Sequence, residues 1–263
     1  MTSRSGVQGS LLAQSWVQAG RLFTRWRRDY GVLSGSLLFP ISLMLIYQVV
    51  LGERVRAVTG VDSVYGLVPL CAVLSALFGA LGGSVGIQIE REVGLLSRMW
   101  VMPVHRASVL VGRMAADVVR ALLGTVLVTS VGIVLGLRFT HGWLTVLIYV
   151  LIPSITVVGF TALVMALAVR ANGRAVMTWL VGVTVSLGFL NPGTTPIGLY
   201  PDWLRPLVRF QPMSPPIETM WALAHGGELV LPLAMTLLWA VVLLAAFIPL
   251  AVRGYRRAAE SRS

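Results

Sequence analysis

The stretch Gln88–Asp117, QIEREVGLLSRMWVMPVHRASVLVGRMAAD, is the longest polar interruption in the first two thirds of an otherwise apolar chain. It opens with the charged triplet Glu90–Glu92, continues through a short apolar run to Trp100, and breaks at Pro103. Apolar runs of 17 or more residues lie on either side, and about 20 apolar residues span a bilayer. The pattern predicts an all-α integral membrane protein with this stretch exposed between two spans.

The composition supports that class. Hydrophobic residues make up 56% of the chain and charged residues 12%, whereas soluble domains carry about 25% charged residues. The net charge of +11 would suggest nucleic acid in a soluble protein, but here arginines flank apolar runs, so we expect membrane topology and no nucleic-acid partner. The single cysteine, Cys71, excludes an intrachain disulfide. The N-terminal residues lack the pattern of a cleavable signal peptide, and we expect none.

Hydropathy predicts six transmembrane helices in one transmembrane domain, residues 1–263. The predicted spans cover residues 33–51, 65–87, 118–137, 144–169, 175–190 and 229–252, with a loop at 88–117. Sixteen arginines fall on the side that holds this loop and both termini, and five fall on the other side. Because arginine is enriched in cytoplasmic loops, the termini and the loop are predicted to lie in the cytoplasm of a cell-membrane protein.

Residues 8–30 have the pattern of an amphipathic helix lying on the membrane surface. Apolar residues recur at spacings of four and three, and polar or basic residues recur in the same way on the opposite face. The apolar face holds Leu12, Trp16, Ala19, Phe23, Trp26 and Tyr30, and the polar face holds Gln14, Gln18, Arg21, Arg25 and Arg28. Such a helix suits the lipid headgroup boundary; an amphipathic helix packed on another part of the protein is the alternative.

Residues 191–228, between the fifth and sixth spans, hold more than half of the chain's 13 prolines together with apolar patches around Trp203 and Trp221. The segment is too apolar for a free loop and too often broken by proline for a span. We interpret it as short re-entrant or interfacial helices on the outer face, one of them starting near Pro216. A plain solvated loop is the alternative.

The residues that carry enzyme chemistry are missing. There is no phosphate-binding loop of the GxxxxGK[ST] type, no zinc motif and no nucleophile–base set, so we expect no catalytic, cofactor or metal site on this chain. The three histidines, His105, His141 and His225, fall in predicted loops far apart in the sequence. All ten acidic residues lie outside or at the edges of the predicted spans, which argues against an ion-coupled transporter.

The loop at residues 88–117 is the best candidate for the segment through which a partner protein drives the membrane helices. Glu90 and Glu92 extend the second span beyond the membrane, and Leu95, Leu96, Met99 and Trp100 form a short apolar face that could fill a groove. Arg113, Asp117 and Arg120, spaced by four and three, form a charge ladder at the foot of the third span. These features fit a docking loop and an ordinary cytosolic loop equally well.

At these residues the chain resembles a known family. The sequence EREVGLLSRMWVMPVHRAS, Glu90–Ser108, is similar to the signature of ABC-2 type permeases, and most of all to the daunorubicin/doxorubicin-resistance subfamily. Three other segments resemble that subfamily as well, at Arg25–Asp29, Leu135–Phe139 and Tyr200–Ser214. The loop match is long and specific, and the other matches are supporting.

The resemblance implies a six-span permease whose loop between the second and third spans contacts a separate ATP-binding-cassette ATPase. The residues that would make this contact are Glu90, Arg91, Glu92, Gly94, Leu95, Leu96, Met99, Pro103 and Arg106. It further implies a second cytoplasmic contact at Arg170 and Arg174, and an interfacial connecting helix that holds Trp16, Arg21, Phe23, Arg25 and Trp26. ATP and Mg²⁺ would bind the partner ATPase.

The expected function is that of a permease subunit in an exporter, working with a second permease subunit, identical or homologous. The expected cargo is a hydrophobic or amphipathic compound, for which the subfamily suggests an anthracycline-like antibiotic or a polyketide lipid. An ion-coupled secondary transporter and a non-transporting membrane scaffold are the alternatives.

Overall fold

A computed structural model of the chain describes residues 30–92, 106–139, 142–169 and 173–260. All regular structure in these ranges is helical, as predicted. The long helices are α1 (Tyr30–Thr59), α2 (Val64–Glu92), α3 (Arg106–Val134), α4 (Trp143–Ala168), α5 (Gly173–Phe189) and α8 (Val230–Glu260). Between α5 and α8 lie a 3₁₀ helix (Ile197–Leu199) and the short helices α6 (Arg205–Phe210) and α7 (Ser214–His225). The predicted interfacial helix at 8–30 falls outside the described residues except for Tyr30.

Four segments are long and apolar enough to cross a membrane. They are Val64–Ile89, Leu110–Val134, Trp143–Ala168 and Val230–Gly254, within α2, α3, α4 and α8. Shorter apolar helices cover Leu38–Val50 in α1 and Ala175–Phe189 in α5. All six predicted spans thus overlap an apolar helix, but the count of six membrane crossings stays a prediction.

The loop prediction 88–117 differs from the structure at both ends. Helix α2 continues to Glu92 and α3 already begins at Arg106, so both ends of the predicted loop are helical. Hydropathy marks only the apolar part of a helix, and the backbone helix can continue into the charged residues beyond it. Residues 93–105 lie outside the described ranges.

Helix α2 is the centre of the bundle and packs against α1, α3, α4, α5 and α7. Its side chains at Val68, Leu70 and Cys71 are fully buried. Because lipid is as apolar as these side chains, close van der Waals packing must hold the helices together. Gly132 of α3 allows such close packing against Val68 of α2, because a Cβ at position 132 would lie 2.5 Å from a methyl carbon of Val68.

Residues 190–229 pack on the end of the bundle formed by the α1–α2 turn, which we call the distal end. Buried polar side chains hold the segment in place. Asn191 accepts a hydrogen bond from the Gly193 amide at 2.8 Å, and Gln211 donates to the hydroxyl of Ser214 at 2.9 Å. Helix α7, predicted to start near Pro216, starts at Ser214 and buries most of its length against α2, α4 and α8. The alternative of a plain solvated loop does not fit these buried helices, while re-entry into a membrane stays a prediction.

The backbone of the distal segment meets α2 at Gly66. A Cβ on Gly66 would lie 2.5 Å from the carbonyl oxygen of Gly193, and a Cβ on Gly193 would lie 2.7 Å from that of Gly66. Each glycine thus permits a contact between backbones that a methyl group would prevent. The segment and α2 can dock closely only while both positions lack a side chain.

We predict that Gly66→Ala destabilises the protein by about 1–3 kcal/mol, the usual cost of overpacking, because the obstacle is backbone. The matched control is Gly182→Ala in α5, where a Cβ would meet nothing within 4 Å and helix propensity favours alanine. Thermal unfolding can be followed with a thiol-reactive dye, since Cys71 is the one cysteine and is buried. Equal stability of Gly66→Ala and wild type would contradict the close approach.

Candidate functional site

Three charged side chains of α3 are buried inside the helix bundle. Arg113, Asp117 and Arg120 are each no more than 8% exposed. Together with Thr161 of α4 they form what we call the buried charge cluster. Charged side chains at membrane depth are costly and face the bundle interior, where they pair, so such a group marks a functional or positioning element.

The cluster connects three helices. Arg120 and Asp117 form an ion pair with 2.8 Å between Nη2 and Oδ1. The hydroxyl of Thr161 on α4 donates to Oδ2 of Asp117 at 2.9 Å. The guanidinium of Arg120 also donates to the backbone carbonyl of Gly79 on α2. Arg113, one turn before Asp117, lies close enough for its charge to act on that carboxylate.

One glycine of α2 makes room for Arg120. A Cβ on Gly79 would lie 2.8 Å from Cδ of Arg120, whereas a Cβ on Gly83 would lie 3.7 Å from Oδ1 of Asp117, an ordinary contact distance. Gly79 therefore accommodates a charged side chain of α3.

The expectation that every carboxylate lies outside or at the edge of a span is wrong for Asp117. The apolar segment of α3 runs from Leu110 to Val134 and includes both Asp117 and Arg120. The predicted span started at residue 118, so it included Arg120 and left Asp117 directly before its first residue. The spacing of four and three was the available signal, since it puts Arg113, Asp117 and Arg120 on one helix face.

Two helices of the buried charge cluster, α2 and α3, lie on either side of residues 93–105 in the chain. Asp117 is 11 residues after Arg106, where α3 begins, and Gly79 is 13 residues before Glu92, where α2 ends. At 1.5 Å per residue these separations are about 17 and 20 Å. The hydrogen bond from Arg120 to the Gly79 carbonyl therefore joins α3 to α2 at a similar depth on both helices.

The predicted contact residues are only partly within the described ranges. Glu90, Arg91 and Glu92 form the last turn of α2, Arg106 is the first residue of α3, and Arg174 lies in the first turn of α5. The predicted contacts at Gly94, Leu95, Leu96, Met99, Pro103 and Arg170 fall outside the described residues, as do Trp16, Arg21, Phe23, Arg25 and Trp26. Their assignment as contact or interfacial residues stays a prediction.

A cavity of about 720 Å³ opens at the distal end, between the α1–α2 turn, residues 192–199, α7 and the start of α8. Charged side chains at its wall are Asp62, Arg209, Glu218 and Glu228. Sequence reasoning missed this cavity, because its walls come from residues as far apart in the chain as Val55 and Pro232, which are 177 positions apart. Among the residues that the structure describes, no group of three or more His, Cys, Asp or Glu side chains could hold a metal ion.

This bundle of apolar helices with a buried charge cluster belongs to a known class. Residues 13–224 match the family model described as "ABC-2 type transporter", which covers most of the chain. The chain belongs to the ABC-2 type transporter family and is a multi-pass membrane protein.

Individual relatives fall within the same class. The chain is 36% identical over 248 residues to the probable doxorubicin resistance ABC transporter permease protein DrrC of Mycobacterium tuberculosis, an alignment that covers 94% of this chain and 90% of the relative. It is 23% identical over 228 residues to the daunorubicin resistance ABC transporter permease protein DrrB1 of Streptomyces coeruleorubidus, covering 84% and 78%. The predicted resemblance to this drug-resistance subfamily is confirmed.

We predict that Asp117→Asn costs about 3–5 kcal/mol of stability, because it leaves Arg120 buried without its counter-ion. Asp202→Asn is the matched control: Asp202 and Arg205 form an ion pair with the same spacing at 2.6 Å, but both side chains are exposed. Exposed pairs contribute less than about 1 kcal/mol. The measurement is thermal unfolding of the purified protein. Equal losses of stability in the two variants would show that burial does not make the Asp117–Arg120 pair more important than the exposed pair.

Proposed function

We propose that the chain is the permease subunit of an ABC exporter, which moves a hydrophobic or amphipathic compound outward across the cytoplasmic membrane with ATP hydrolysed by a separate ATPase subunit. Membership of the ABC-2 type family supports this proposal. The chain itself would carry no cofactor, and ATP and Mg²⁺ would bind the partner. Both termini and residues 93–105 would face the cytoplasm, as the distribution of arginines suggests.

The observation that carries the proposal is the connection of α2 and α3 through the buried charge cluster. Both helices lead directly into residues 93–105, where the sequence resembles a contact site for an ATPase. An ion pair on α3 that also holds the Gly79 carbonyl of α2 makes the two helices move together. Through Thr161 the same movement would reach α4. A movement of the loop caused by the ATPase would therefore shift α2, α3 and α4 together.

A second permease subunit is supported by the small size of a cavity between the long apolar helices of one copy, separate from the distal cavity. A cavity between α2, α4, α5 and α8 has a volume of about 170 Å³ and is lined mainly by apolar side chains. Pockets for drug-sized ligands measure about 300–1,000 Å³, so this space is too small for such a cargo. We infer that the pathway forms between two permease subunits, identical or homologous, each with six spans.

The relatives suggest the cargo. Doxorubicin and daunorubicin resistance appear in their names, so we propose an anthracycline-like antibiotic as the first cargo to test, with a polyketide lipid as the second. The arginines of the interfacial helix, residues 8–30, would contact membrane lipid.

The buried Asp117 raises the alternative of an ion-coupled transporter, because proton relays use intramembrane carboxylates. Its surroundings argue against that role. Both oxygens of its carboxylate already have protein partners, Arg120 on α3 and Thr161 on α4. A carboxylate fixed in this way would hold helices together and would not serve as a proton relay.

We predict that Glu92→Ala and Leu96→Asp reduce co-purification with the ATPase subunit and reduce cargo-stimulated ATP hydrolysis by tenfold or more. Glu92 ends the helix that would reach the ATPase, and an aspartate at position 96 would place a charge in an apolar contact. Glu53→Ala is the control, since Glu53 is exposed on α1 towards the distal end. Unchanged association and unchanged hydrolysis in both loop variants would overturn the assignment of the loop.

A further inference from the structure

The distal cavity has the dimensions of a small-molecule site. Its volume of about 720 Å³ falls within the range of about 300–1,000 Å³ that drug-sized ligands occupy. Much of its wall is apolar, with Val55, Ile197, Ile217 and Leu231 contributing side chains and Trp221 an aromatic ring. A ligand with an apolar body would therefore find matching surface.

The charge of the wall is opposite to that of the chain as a whole. Three of the ten carboxylates in the protein line the cavity, at Asp62, Glu218 and Glu228, and they face one arginine, Arg209. The wall thus carries a net charge of about −2 in a protein of net charge +11. An anionic ligand would be repelled, and a neutral one would cover the carboxylates without pairing them. The indole of Trp221 adds a ring face that attracts cations.

Two of these carboxylates, those of Asp62 and Glu218, are held in position in different ways. Asp62 is fixed at the start of α2, where Oδ1 accepts a hydrogen bond from the Val64 amide at 3.2 Å, so its position is set by the backbone. Glu218 lies half-buried on α7, where burial raises the pKa of its carboxyl and the charge of Arg209 opposes that rise. A cation in the cavity would offset the cost of ionising Glu218 in this position.

We propose that the distal cavity is a binding site for amphipathic organic cations, with the apolar body against the aliphatic wall and the positive charge between Glu218 and Asp62. A role for this site in releasing cargo rests on the proposed export function. The binding itself does not, because the walls of the cavity belong to one copy of this chain and it requires neither ATP nor the ATPase.

The test uses two probes of nearly the same shape and opposite charge, tetraphenylphosphonium and tetraphenylborate. Equilibrium dialysis of each probe against the full-length protein in nanodiscs of zwitterionic lipid, at pH 8 to keep Glu218 ionised, measures binding above that of empty nanodiscs. We expect saturable binding of the cation and weaker or no binding of the anion.

Two variants change the charge of the wall in opposite directions. Glu218→Gln should weaken cation binding about three- to tenfold, and Arg209→Gln should tighten it by a similar factor, as charges several ångströms away would do. A gain of affinity cannot come from misfolding, so the second variant keeps the test decisive. Glu53→Gln, which removes an exposed carboxylate outside the cavity wall, should leave binding unchanged.

Three results would overturn the proposal: no saturable binding of the cation, binding of the anion as tight as that of the cation, or no response to either cavity variant. Because ATPase and ATP are absent from the assay, a negative result leaves the export proposal standing. Loss of ATPase association in the loop variants, in turn, has no bearing on this site.

Discussion

The ion pair between Asp117 and Arg120 depends on a constraint that governs any chain in a bilayer: lipid offers no hydrogen-bonding partners, so each polar group must be satisfied by protein. In this chain the constraint acts across helices. The carboxylate of Asp117 takes a hydroxyl from α4, and the guanidinium of Arg120 reaches a carbonyl of α2. The positions of α2, α3 and α4 relative to one another are therefore set by hydrogen bonds to a buried ion pair as well as by packing.

The arrangement of α2 follows from the same constraint. A central helix that meets five neighbours must let some of them approach closely, and its glycines do so in two ways. Gly79 admits the arginine of α3, and Gly66 admits the backbone of the distal segment at Gly193. One helix thus connects the buried charge cluster to the segment that forms the distal cavity.

Much of the fold could be predicted from the sequence because hydropathy is a local property. Each predicted span coincides with an apolar helix, and the proline pattern near Pro216 marked the start of α7 within two residues. What failed was long-range pairing. The contact between Arg120 and Gly79 joins positions 41 apart in the chain, and nothing local to either residue indicates it. The distal cavity eluded prediction for the same reason, since Asp62 and Glu218 become neighbours only after five helices have packed.

The charged face of α3 also has a consequence for how the protein is made. The apolar segment of α3 carries two arginines and an aspartate, and each such residue costs a lone helix about 2.5–3.5 kcal/mol near the membrane centre. The carbonyl of Gly79 lies on α2, which is synthesised first, whereas Thr161 lies on α4, which follows. We therefore expect α2, which supplies a hydrogen-bond acceptor to Arg120, to assist the insertion of α3 before α4 is made.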